Sequence, residues 1–474
     1  MTENPKAYHY LGKARPMIDG LEKVTGAAKY AADFSLGHML HAKTVLSPYA
    51  HAKILGIDTS EAKALPGVVA VLEAKDLRTY KKPIVSRNSA ILAKDKVLFA
   101  GQPVVVVVAE SEAIAEDACL LIHVDYEPLP VVVHLEEAIK ASSPLVWPEG
   151  LPAEDDDMSD MHAAVEDKAA AKGPKYNNVS KENNFAWGDV EKGFAEADVI
   201  LEKVYTTSSV HQSYMEAHAV VAEPHPLGKG ITLYTSTQGQ YAVRSGVAKS
   251  LGLAEGDVII KPMMIGGAFG AKYGILEPLV AAIALKLGQN VRMVFSRSED
   301  FLSTTPAPGI RIELKTGAKR DGSLTALAAK VFVDNGVFSF NHGGIVSMLL
   351  GGYYKWPNLD ILAYEVHSHK SQAGAYRAPG APQATFAVES QMDEMARALN
   401  LDPVEFRLKN VVEGGDKNGT GQPWAKGIGL RGVLERLQQH PLWQNRHHLN
   451  PNEGIGIAIG GANGCWLRSS LSSR

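Results

Sequence analysis

One stretch organises the rest of this chain, and it reads Ile265-Gly266-Gly267-Ala268-Phe269-Gly270-Ala271-Lys272-Tyr273 (the glycine loop, residues 265–273). Its glycines allow a backbone to turn sharply or to approach a ligand closely. The single phenylalanine, Phe269, supplies an anchor between them. Such a loop suits a large, flat, anionic ligand, but most glycine-rich loops are simple turns, so this motif alone is weak support for a site.

Two companion stretches flank the glycine loop in sequence. The upstream one is Ser236-Thr237-Gln238-Gly239-Gln240, and the downstream one is Ala375-Tyr376-Arg377-Ala378-Pro379-Gly380-Ala381-Pro382-Gln383. Residues 231–235 predict a strand that delivers Gln238 to its end, and residues 258–260 predict a second strand before the glycine loop. An apolar helix is predicted behind the loop, at 277–287. The three stretches in this order are far more specific than the glycine loop alone.

Length and charge limit what the protein can be. Its 474 residues predict two or three domains with substantial buried cores. Lys and Arg number 48 against 52 Asp and Glu, so the chain has no general attraction for nucleic acid or anionic lipid. The apolar runs are far shorter than the ~20 residues of a membrane helix, and the N-terminus lacks a signal-peptide profile. We therefore expect a soluble, cytoplasmic protein that binds neither nucleic acid nor a membrane.

The N-terminal part has the pattern of a small mixed domain. Strands are predicted at 41–46 and 68–72, between turn-forming residues. Residues 104–108 form a continuous β-branched run, typical of a strand that is covered on both faces. A helix capped by Ser111 and a strand at 122–126 follow, which gives a strand, helix, strand unit.

Two segments lack the pattern of a packed core. Residues 1–15 are short and polar and are predicted to form a tail. Residues 136–184 contain several prolines and the acidic run Glu154-Asp155-Asp156-Asp157, and we interpret them as a linker. An acidic run without a glycine turn is typical of a solvated segment rather than of a cation site.

The C-terminal half combines strands and helices. Residues 311–316 and 324–333 flank a turn at 319–322 and predict a hairpin. A helix whose methionines belong to its apolar face is predicted at 387–399. Residues 454–461 predict a buried strand that begins a further domain, and the residues after it show no pattern able to complete that domain's core.

In motif order, the chain resembles the molybdenum-cofactor-binding large subunit of the xanthine dehydrogenase and aldehyde oxidase family. The resemblance covers roughly residues 16 to 465 and implies an α+β fold. Residues 16–135 would form an α/β hammerhead domain, and residues 185–412 an elongated, mixed α+β molybdenum-cofactor-binding domain. Residues 413–474 would be a connection and the incomplete start of a second such domain.

The resemblance also implies a set of cofactor-binding residues. A glutamine similar in place to Gln238 bonds an oxo ligand of molybdenum, and a Gly-Gly-x-Phe-Gly-x-Lys pattern brings backbone amides near the pterin. The implied cofactor-binding residues are Gln238, Gly266, Gly267, Ala268, Phe269, Gly270, Tyr376, Arg377 and Ala378. Amides freed by glycine, together with a carboxamide, can hold oxo, dithiolene and phosphate groups. The pterin would then hold the metal, with no protein atom ligating it.

The family's chemistry implies an oxidoreductase that hydroxylates an electron-poor carbon of a small aldehyde or N-heterocycle. Water would supply the oxygen, and the cofactor would be a molybdenum–pterin, with a dinucleotide form as one option. Electrons would leave through iron–sulfur clusters, but the 2 cysteines, Cys119 and Cys465, are too few to hold one. We therefore expect an iron–sulfur partner subunit and an FAD subunit.

The chain departs from the family pattern at two places. Tyr273 follows Lys272 where purine-oxidising members carry a glutamate, so Tyr273 is the expected substrate-pocket residue and xanthine a poor substrate. The family's general base is a glutamate in a Gly-x-Gly-Glu context, expected beyond the C-terminus, so the catalytic residue is unknown in this chain. Glu216 and His218 lie in another family-like stretch, and we interpret them as structural residues that fasten loops.

Several hypotheses stay open on these grounds. The chain is a molybdenum hydroxylase subunit, or its N-terminal part, and a second molybdenum-binding chain completes the site, as in nicotinate dehydrogenases that divide this region. Alternatively, it is a truncated, catalytically silent fragment, which the serine-rich end favours, or a non-catalytic scaffold of the same fold. A nucleotide-binding enzyme is a weaker alternative, because the glycine loop lacks Gly-x-Gly-x-x-Gly spacing.

Overall fold

The structure, a computed structural model, describes residues 9–10, 12–77, 91–150, 176–226 and 230–461. Strands and helices are interspersed along these ranges and build mixed sheets, which confirms the predicted α+β fold class. The predicted acidic run at 154–157, Cys465 and the serine-rich end lie outside the described residues. None of the helices within the described ranges combines the length and apolarity needed to cross a membrane.

The described elements are as follows in chain order. The strands are β1 (Leu40–Leu46), β2 (Ala52–Asp58), β3 (Val68–Glu73), β4 (Lys96–Val97), β5 (Pro103–Ala109), β6 (His123–Pro128), β7 (Val179–Trp187), β8 (Val199–Thr207), β9 (Ala219–Pro224), β10 (Ile231–Thr235), β11 (Val258–Pro262), β12 (Val291–Val294), β13 (Ile310–Ala318), β14 (Leu324–Asp334) and β15 (Asn358–Val366). The helices are α1 (Gly20–Thr25), α2 (Ser60–Ala64), α3 (Glu112–Leu120), α4 (Leu135–Ala138), α5 (Val190–Ala195), α6 (Gln240–Leu251), α7 (Glu277–Leu287), α8 (Arg297–Ser303), α9 (Gly343–Leu350), α10 (Ala381–Ala398), α11 (Pro403–Asn410), α12 (Leu430–Gln438) and α13 (Pro441–Gln444).

A seven-stranded sheet runs through both of the first two predicted domains, in the order β11-β10-β9-β12-β1-β5-β3. The two parts meet where β1 pairs in parallel with β12. β5 is buried along its whole length, and its alternate residues pack into two different cores. The predicted strand covered on both faces is thereby confirmed, whereas the domain boundaries themselves stay a prediction.

β10 and β11 lead to two of the three stretches identified in the sequence, residues 236–240 and the glycine loop (the first two site stretches), at the same edge of this sheet. They pair in parallel, with Ile231 opposite Val258 and Thr235 opposite Pro262. Because parallel strands end at the same edge, the segments that follow them leave the sheet side by side. α7 follows the glycine loop and packs into the core of the sheet, so the predicted order of strand, glycine loop and helix is confirmed.

The second large sheet has five strands, in the order β7-β15-β14-β13-β8. The third site stretch, residues 375–383, follows its strand β15 in the chain and runs into α10. β13 and β14 form the predicted antiparallel hairpin, with Gly322 at φ +86° in its turn. α10 buries Val388, Met392 and Met395 against this sheet, as the apolar pattern predicts. The helix begins at Ala381, earlier than predicted, because the left-handed Gly380 and a first-turn proline start it.

The prediction of a strand at residues 454–461 is wrong. No strand is assigned between 453 and 461, although Ile459 is buried. The Ile459 N–H donates to Glu389 Oε2 (2.9 Å), and the Tyr353 hydroxyl donates to the Gly461 carbonyl (2.5 Å). Side chains therefore bond two backbone groups of this segment, and none of the described strands pairs with it.

Two stacked histidines join the N-terminal part to the later part of the chain. The rings of His51 and His369 lie 4.2 Å apart. His51 Nδ1 donates to the Pro130 carbonyl (2.7 Å), whereas His369 Nδ1 accepts from the Val132 N–H (3.1 Å). Burial, together with the charge of a protonated His51, lowers the pKa of His369 to about 4.

We expect this histidine to make stability depend on pH. The unfolded state takes up a proton near the ordinary pKa of 6.5 and the folded state only near about 4, so stability is full above 6.5 and is lost as the pH falls toward 4. Between pH 7 and pH 5 the loss from His369 is about 2 kcal/mol. Urea unfolding of the wild type and of His369→Asn, which keeps an acceptor but does not titrate, should show a weaker pH dependence in the variant. Equal pH dependence would contradict this assignment.

Candidate cofactor site

The glycine loop follows β11 and takes a backbone path that its glycines make possible. Gly267 has φ +98° and Gly270 has φ +110°. A Cβ on Gly270 would lie 2.5 Å from the Ala375 carbonyl oxygen, and one on Gly266 would lie 2.6 Å from Glu216 Cβ. The loop is therefore packed against two other segments at distances that only glycine permits.

Hydrogen bonds join all three site stretches. Gly270 N–H donates to Gln238 Oε1 (2.9 Å), which links the glycine loop to the end of β10. Arg377 N–H donates to the Phe269 carbonyl (2.8 Å), which links the loop to the third stretch. The Gln238 N–H also donates to the Lys272 carbonyl (3.0 Å). The structure thus brings together Gln238, the glycine loop and the segment around Arg377.

The joined stretches lie at the surface. Gln238 and Arg377 are exposed, and Phe269 is 44% exposed in a left-handed conformation of φ +51°. Tyr376 and Ala378 are half-buried, and Ala378 is also left-handed, at φ +59°. With Gln238 Oε1 accepting from Gly270, the carboxamide still offers a ligand its Nε2 donor pair.

Tyr273 lies beside Gln238. A Cβ on Gly239 would come within 2.6 Å of the Tyr273 ring, so the ring packs directly on the backbone next to Gln238. The side chain is half-buried. This position agrees with a role in a substrate pocket, which stays a prediction.

Glu216 lies behind the glycine loop and is not at its exposed side. Its Oε2 accepts from the Gly266 N–H (2.7 Å) and from Lys272 Nζ (2.7 Å), and its Oε1 accepts from Ser236 Oγ (2.5 Å). Lys272 is 1% exposed. Burial lowers the pKa of Lys272, while the hydrogen bond and charge of Glu216 oppose that effect. These contacts agree with the interpretation of Glu216 as a residue that fastens loops.

His218 belongs to a second buried group beneath the loop. Its Nδ1 lies 2.7 Å from Asp300 Oδ1 and 3.1 Å from the Tyr214 hydroxyl. Burial acts to raise the pKa of Asp300, but its hydrogen bonds with His218 outweigh burial and the pKa is lowered. A Cβ on Gly267 would lie 3.1 Å from Tyr214 Cβ, so this group supports the loop from below.

Gln212 is a supporting residue that the sequence analysis did not identify. It is 2% exposed, and its Nε2 donates to the carbonyls of Thr305 (2.8 Å) and Ala375 (2.7 Å). Ala375 is the residue against which Gly270 packs. Gln212 belongs to the same family-like stretch as Glu216, residues 211–218, and this could have marked it as a candidate. The sequence does not show, however, which groups a glutamine binds.

Within the described part of the chain, no group of three or more His, Cys, Asp or Glu side chains could hold a metal ion. The surface instead offers main-chain amides, a carboxamide and an exposed phenylalanine. Such donors fit oxygen, sulfur and phosphate groups of a bound molecule. That the protein itself ligates no metal stays a prediction.

Two family models match the chain. One is described as the molybdopterin cofactor-binding domain and matches residues 173–411. The other is described as the aldehyde oxidase and xanthine dehydrogenase a/b hammerhead domain and matches residues 25–130. The joined stretches all lie inside the first of these matches.

Curated relatives match over most of the chain. It is 30% identical over 439 residues to the nicotinate dehydrogenase large molybdopterin subunit of Eubacterium barkeri, covering 92% of this chain and 97% of that protein. It is 32% identical over 433 residues to the carbon monoxide dehydrogenase large chain of Afipia carboxidovorans, covering 87% and 51%. The chain thus spans nearly all of the first relative and about half of the second.

Solved structures show the same architecture. Aldehyde oxidoreductase from Desulfovibrio gigas superposes with a TM-score of 0.80 at 27% identity, over 90% of this chain and 46% of that one. Quinoline 2-oxidoreductase from Pseudomonas putida 86 superposes with a TM-score of 0.77 at 28% identity, over 91% and 55%. The described fold therefore corresponds to about half of each of these longer chains.

Proposed function

Because the chain belongs to the aldehyde oxidase and xanthine dehydrogenase family of molybdopterin-binding oxidoreductases, we propose that it is the molybdopterin-binding subunit, or part of one, of a molybdenum hydroxylase. The resemblance seen in the sequence is confirmed at the level of the family. The observation that carries the proposal is the pair of hydrogen bonds from Gly270 to Gln238 and from Arg377 to Phe269. They join a carboxamide and two main-chain segments into one exposed surface, to which we assign the cofactor.

The residues of this surface fit a molybdenum–pterin group. Gln238 would donate from Nε2 to an oxo oxygen, because its Oε1 is already held by Gly270. The amides of Gly267, Ala268, Phe269 and Ala378 would hold the remaining oxygen and sulfur atoms, since those of Gly270 and Arg377 already donate to Gln238 and to the Phe269 carbonyl. The Phe269 ring would lie against the flat part of the group. When bound, the group supplies two-electron oxidation of a carbon centre, with water as the oxygen source.

We propose an aldehyde or an N-heterocycle as the substrate. Support comes from the structural similarity to an aldehyde oxidoreductase and a quinoline 2-oxidoreductase. Tyr273 packs against Gly239, next to Gln238, so its phenol can orient a carbonyl or a ring nitrogen by a hydrogen bond. A phenol does not offer the carboxylate that purine-oxidising relatives use at this place, which disfavours xanthine.

We propose that other polypeptides complete the reaction. An iron–sulfur subunit and an FAD subunit would accept the electrons, since the 2 cysteines of this chain are too few for a cluster. Glu216 is bound by three donors and is therefore a poor general base. A second molybdenum-binding chain is our first candidate for the source of the base, and support comes from the relative named as a large molybdopterin subunit.

The experiment is to purify the chain together with its partners from a host that makes the pterin, and to measure molybdenum and pterin in each preparation. We expect the two in equal amounts, and oxidation of aldehydes or N-heterocycles with ¹⁸O from labelled water in the product. A complex free of both molybdenum and pterin would overturn the proposal in favour of a scaffold or a silent fragment.

A further inference from the structure

The Glu216 carboxylate lies behind the exposed surface, where the glycine loop meets the segment that follows β10. Its three donors come from these two segments. Ser236 lies two residues before Gln238. Gly266 lies near the start of the glycine loop, and Lys272 lies near its end, just before Tyr273. The Glu216 side chain therefore binds both ends of the glycine loop and the segment that directly follows β10.

The contacts of Lys272 connect Glu216 to Gln238. The Lys272 ammonium pairs with Glu216, while the Lys272 carbonyl accepts from the Gln238 N–H (3.0 Å) and from Thr237 Oγ1 (3.2 Å). A shift of Lys272 would therefore move the backbone of Gln238. Because the Gln238 side chain in turn accepts from Gly270, the carboxamide and the loop amides form one linked unit.

Packing leaves Glu216 little freedom. Its side chain is 10% exposed and that of Lys272 is 1% exposed. A Cβ on Gly266 would lie 2.6 Å from Glu216 Cβ and 3.4 Å from Glu216 Oε2, so the carboxylate rests on the glycine backbone. Arg297 and Asp300 are the next charged groups around Lys272, and they pair with each other at 3.2 Å. Local charge is thus balanced, and the carboxylate is held in one place.

We propose that Glu216 is a positioning residue that sets the spacing between the Gln238 carboxamide and the amides of the glycine loop. This inference rests on the proposed function for its consequence, because correct spacing is what lets the surface retain the molybdenum–pterin group. Glu216 acts from behind, through the Gly266 amide, the Ser236 hydroxyl and the Lys272 ammonium, and does not itself touch the group.

The competing explanation is that Glu216 merely neutralises a buried lysine. The chain offers a matched control for that explanation in Glu389 and Arg407, which pair at 2.9 Å with exposures of 4% and 0%. Glu389 also accepts from a main-chain amide, that of Ile459. Glu389 lies on α10 and Arg407 on α11, where Arg407 also pairs with Asp393 at 2.8 Å, and neither makes a described contact with the glycine loop.

The experiment compares charge-free variants of both pairs within the full complex. Glu216→Gln/Lys272→Met keeps an acceptor oxygen for the Gly266 N–H and places an NH2 that can donate to Ser236 Oγ, whereas Glu216→Ala/Lys272→Met removes both contacts. Glu389→Gln/Arg407→Met and Glu389→Ala/Arg407→Met are the controls. The measurements are molybdenum and pterin per folded chain, the thermal midpoint, and amide hydrogen exchange of peptides spanning 234–241 and 262–276.

We expect Glu216→Ala/Lys272→Met to bind about tenfold less molybdenum and pterin than Glu216→Gln/Lys272→Met, a factor within the range that losing the contacts to Gly266 and Ser236 can produce. Exchange should rise in both peptides together. The two control variants should differ in thermal midpoint but not in cofactor content or in the exchange of these peptides.

Equal cofactor content and equal exchange in the two Glu216 double variants would overturn the inference. If the alanine variant does not fold, Glu216→Asp takes its place, because it keeps the charge but shortens the side chain by one methylene. Hydrogen exchange should then rise in both peptides together, and unchanged exchange would overturn the inference. A wild-type complex without molybdenum would refute the proposed function instead, while exchange would still decide the role of Glu216.

Discussion

A Gly270→Ala variant is expected to lose most of its molybdenum and pterin. Gly270 has φ +110°, and an added Cβ would lie 2.5 Å from the Ala375 carbonyl oxygen and 2.8 Å from its carbon. The backbone conformation and the overlap should together cost about 2–5 kcal/mol if the loop keeps its path. The loop will therefore move away from Ala375, and the hydrogen bonds from Gly270 to Gln238 and from Arg377 to Phe269 will break.

Gly415→Ala is the matched control for this prediction. Gly415 has a similar φ of +97°, but nothing lies within 4 Å of an added Cβ. It should lower the thermal midpoint through backbone strain alone and leave cofactor content unchanged. If Gly270→Ala retains as much molybdenum per folded chain as Gly415→Ala, close packing of the glycine loop against the third stretch is not needed for binding.

Gln238→Glu is expected to lower kcat about 100-fold in the loaded complex, because one preorganised donor to the reacting group is lost. A glutamate keeps the oxygen that accepts from the Gly270 N–H (2.9 Å), so the loop should stay in place. What it removes is the Nε2 donor pair, and a second carboxylate oxygen would face an oxo group that accepts hydrogen bonds. The measurement is steady-state kinetics normalised to molybdenum content.

The comparison with Gln238→Ala separates the two roles of this side chain. The alanine variant loses both the acceptor for Gly270 and the donor, so it should lower cofactor content as well as kcat. If Gln238→Glu turns over like the wild type while Gln238→Ala does not, Gln238 serves only to hold Gly270, and its assignment to an oxo ligand is wrong.

Local patterns in the sequence were enough for most elements near the site. The β-branched run at 104–108, the strand before Gln238 and the hairpin at 319–322 each depend on neighbours within a few residues, and each is present. The strand prediction for residues 454–461 also depended on local pattern alone, and it is wrong. The apolar alternation of this segment predicts a strand, but a strand needs a neighbouring strand, and here the Ile459 amide is satisfied by Glu389.

The partners of the supporting residues could not be predicted. Gln212, Glu216 and Lys272 are ordinary polar residues in sequence, separated by up to 60 positions. Their importance arises because the ends of β10 and β11 lie side by side and bring Ser236 and Gly266 to one carboxylate. Polar pairs over such distances leave no local pattern that identifies the partner.

The sequence by itself determined the family, the α+β class and the order of the three site stretches, because glycine spacing and strand patterns are local properties of the chain. Only the tertiary structure decided that Gln238 faces Gly270 with its oxygen and that Arg377 is bound to Phe269. It alone also placed the Glu216 carboxylate against Ser236, Gly266 and Lys272. Those contacts depend on the pairing of distant strands, and strand pairing is set by the packing of the whole sheet.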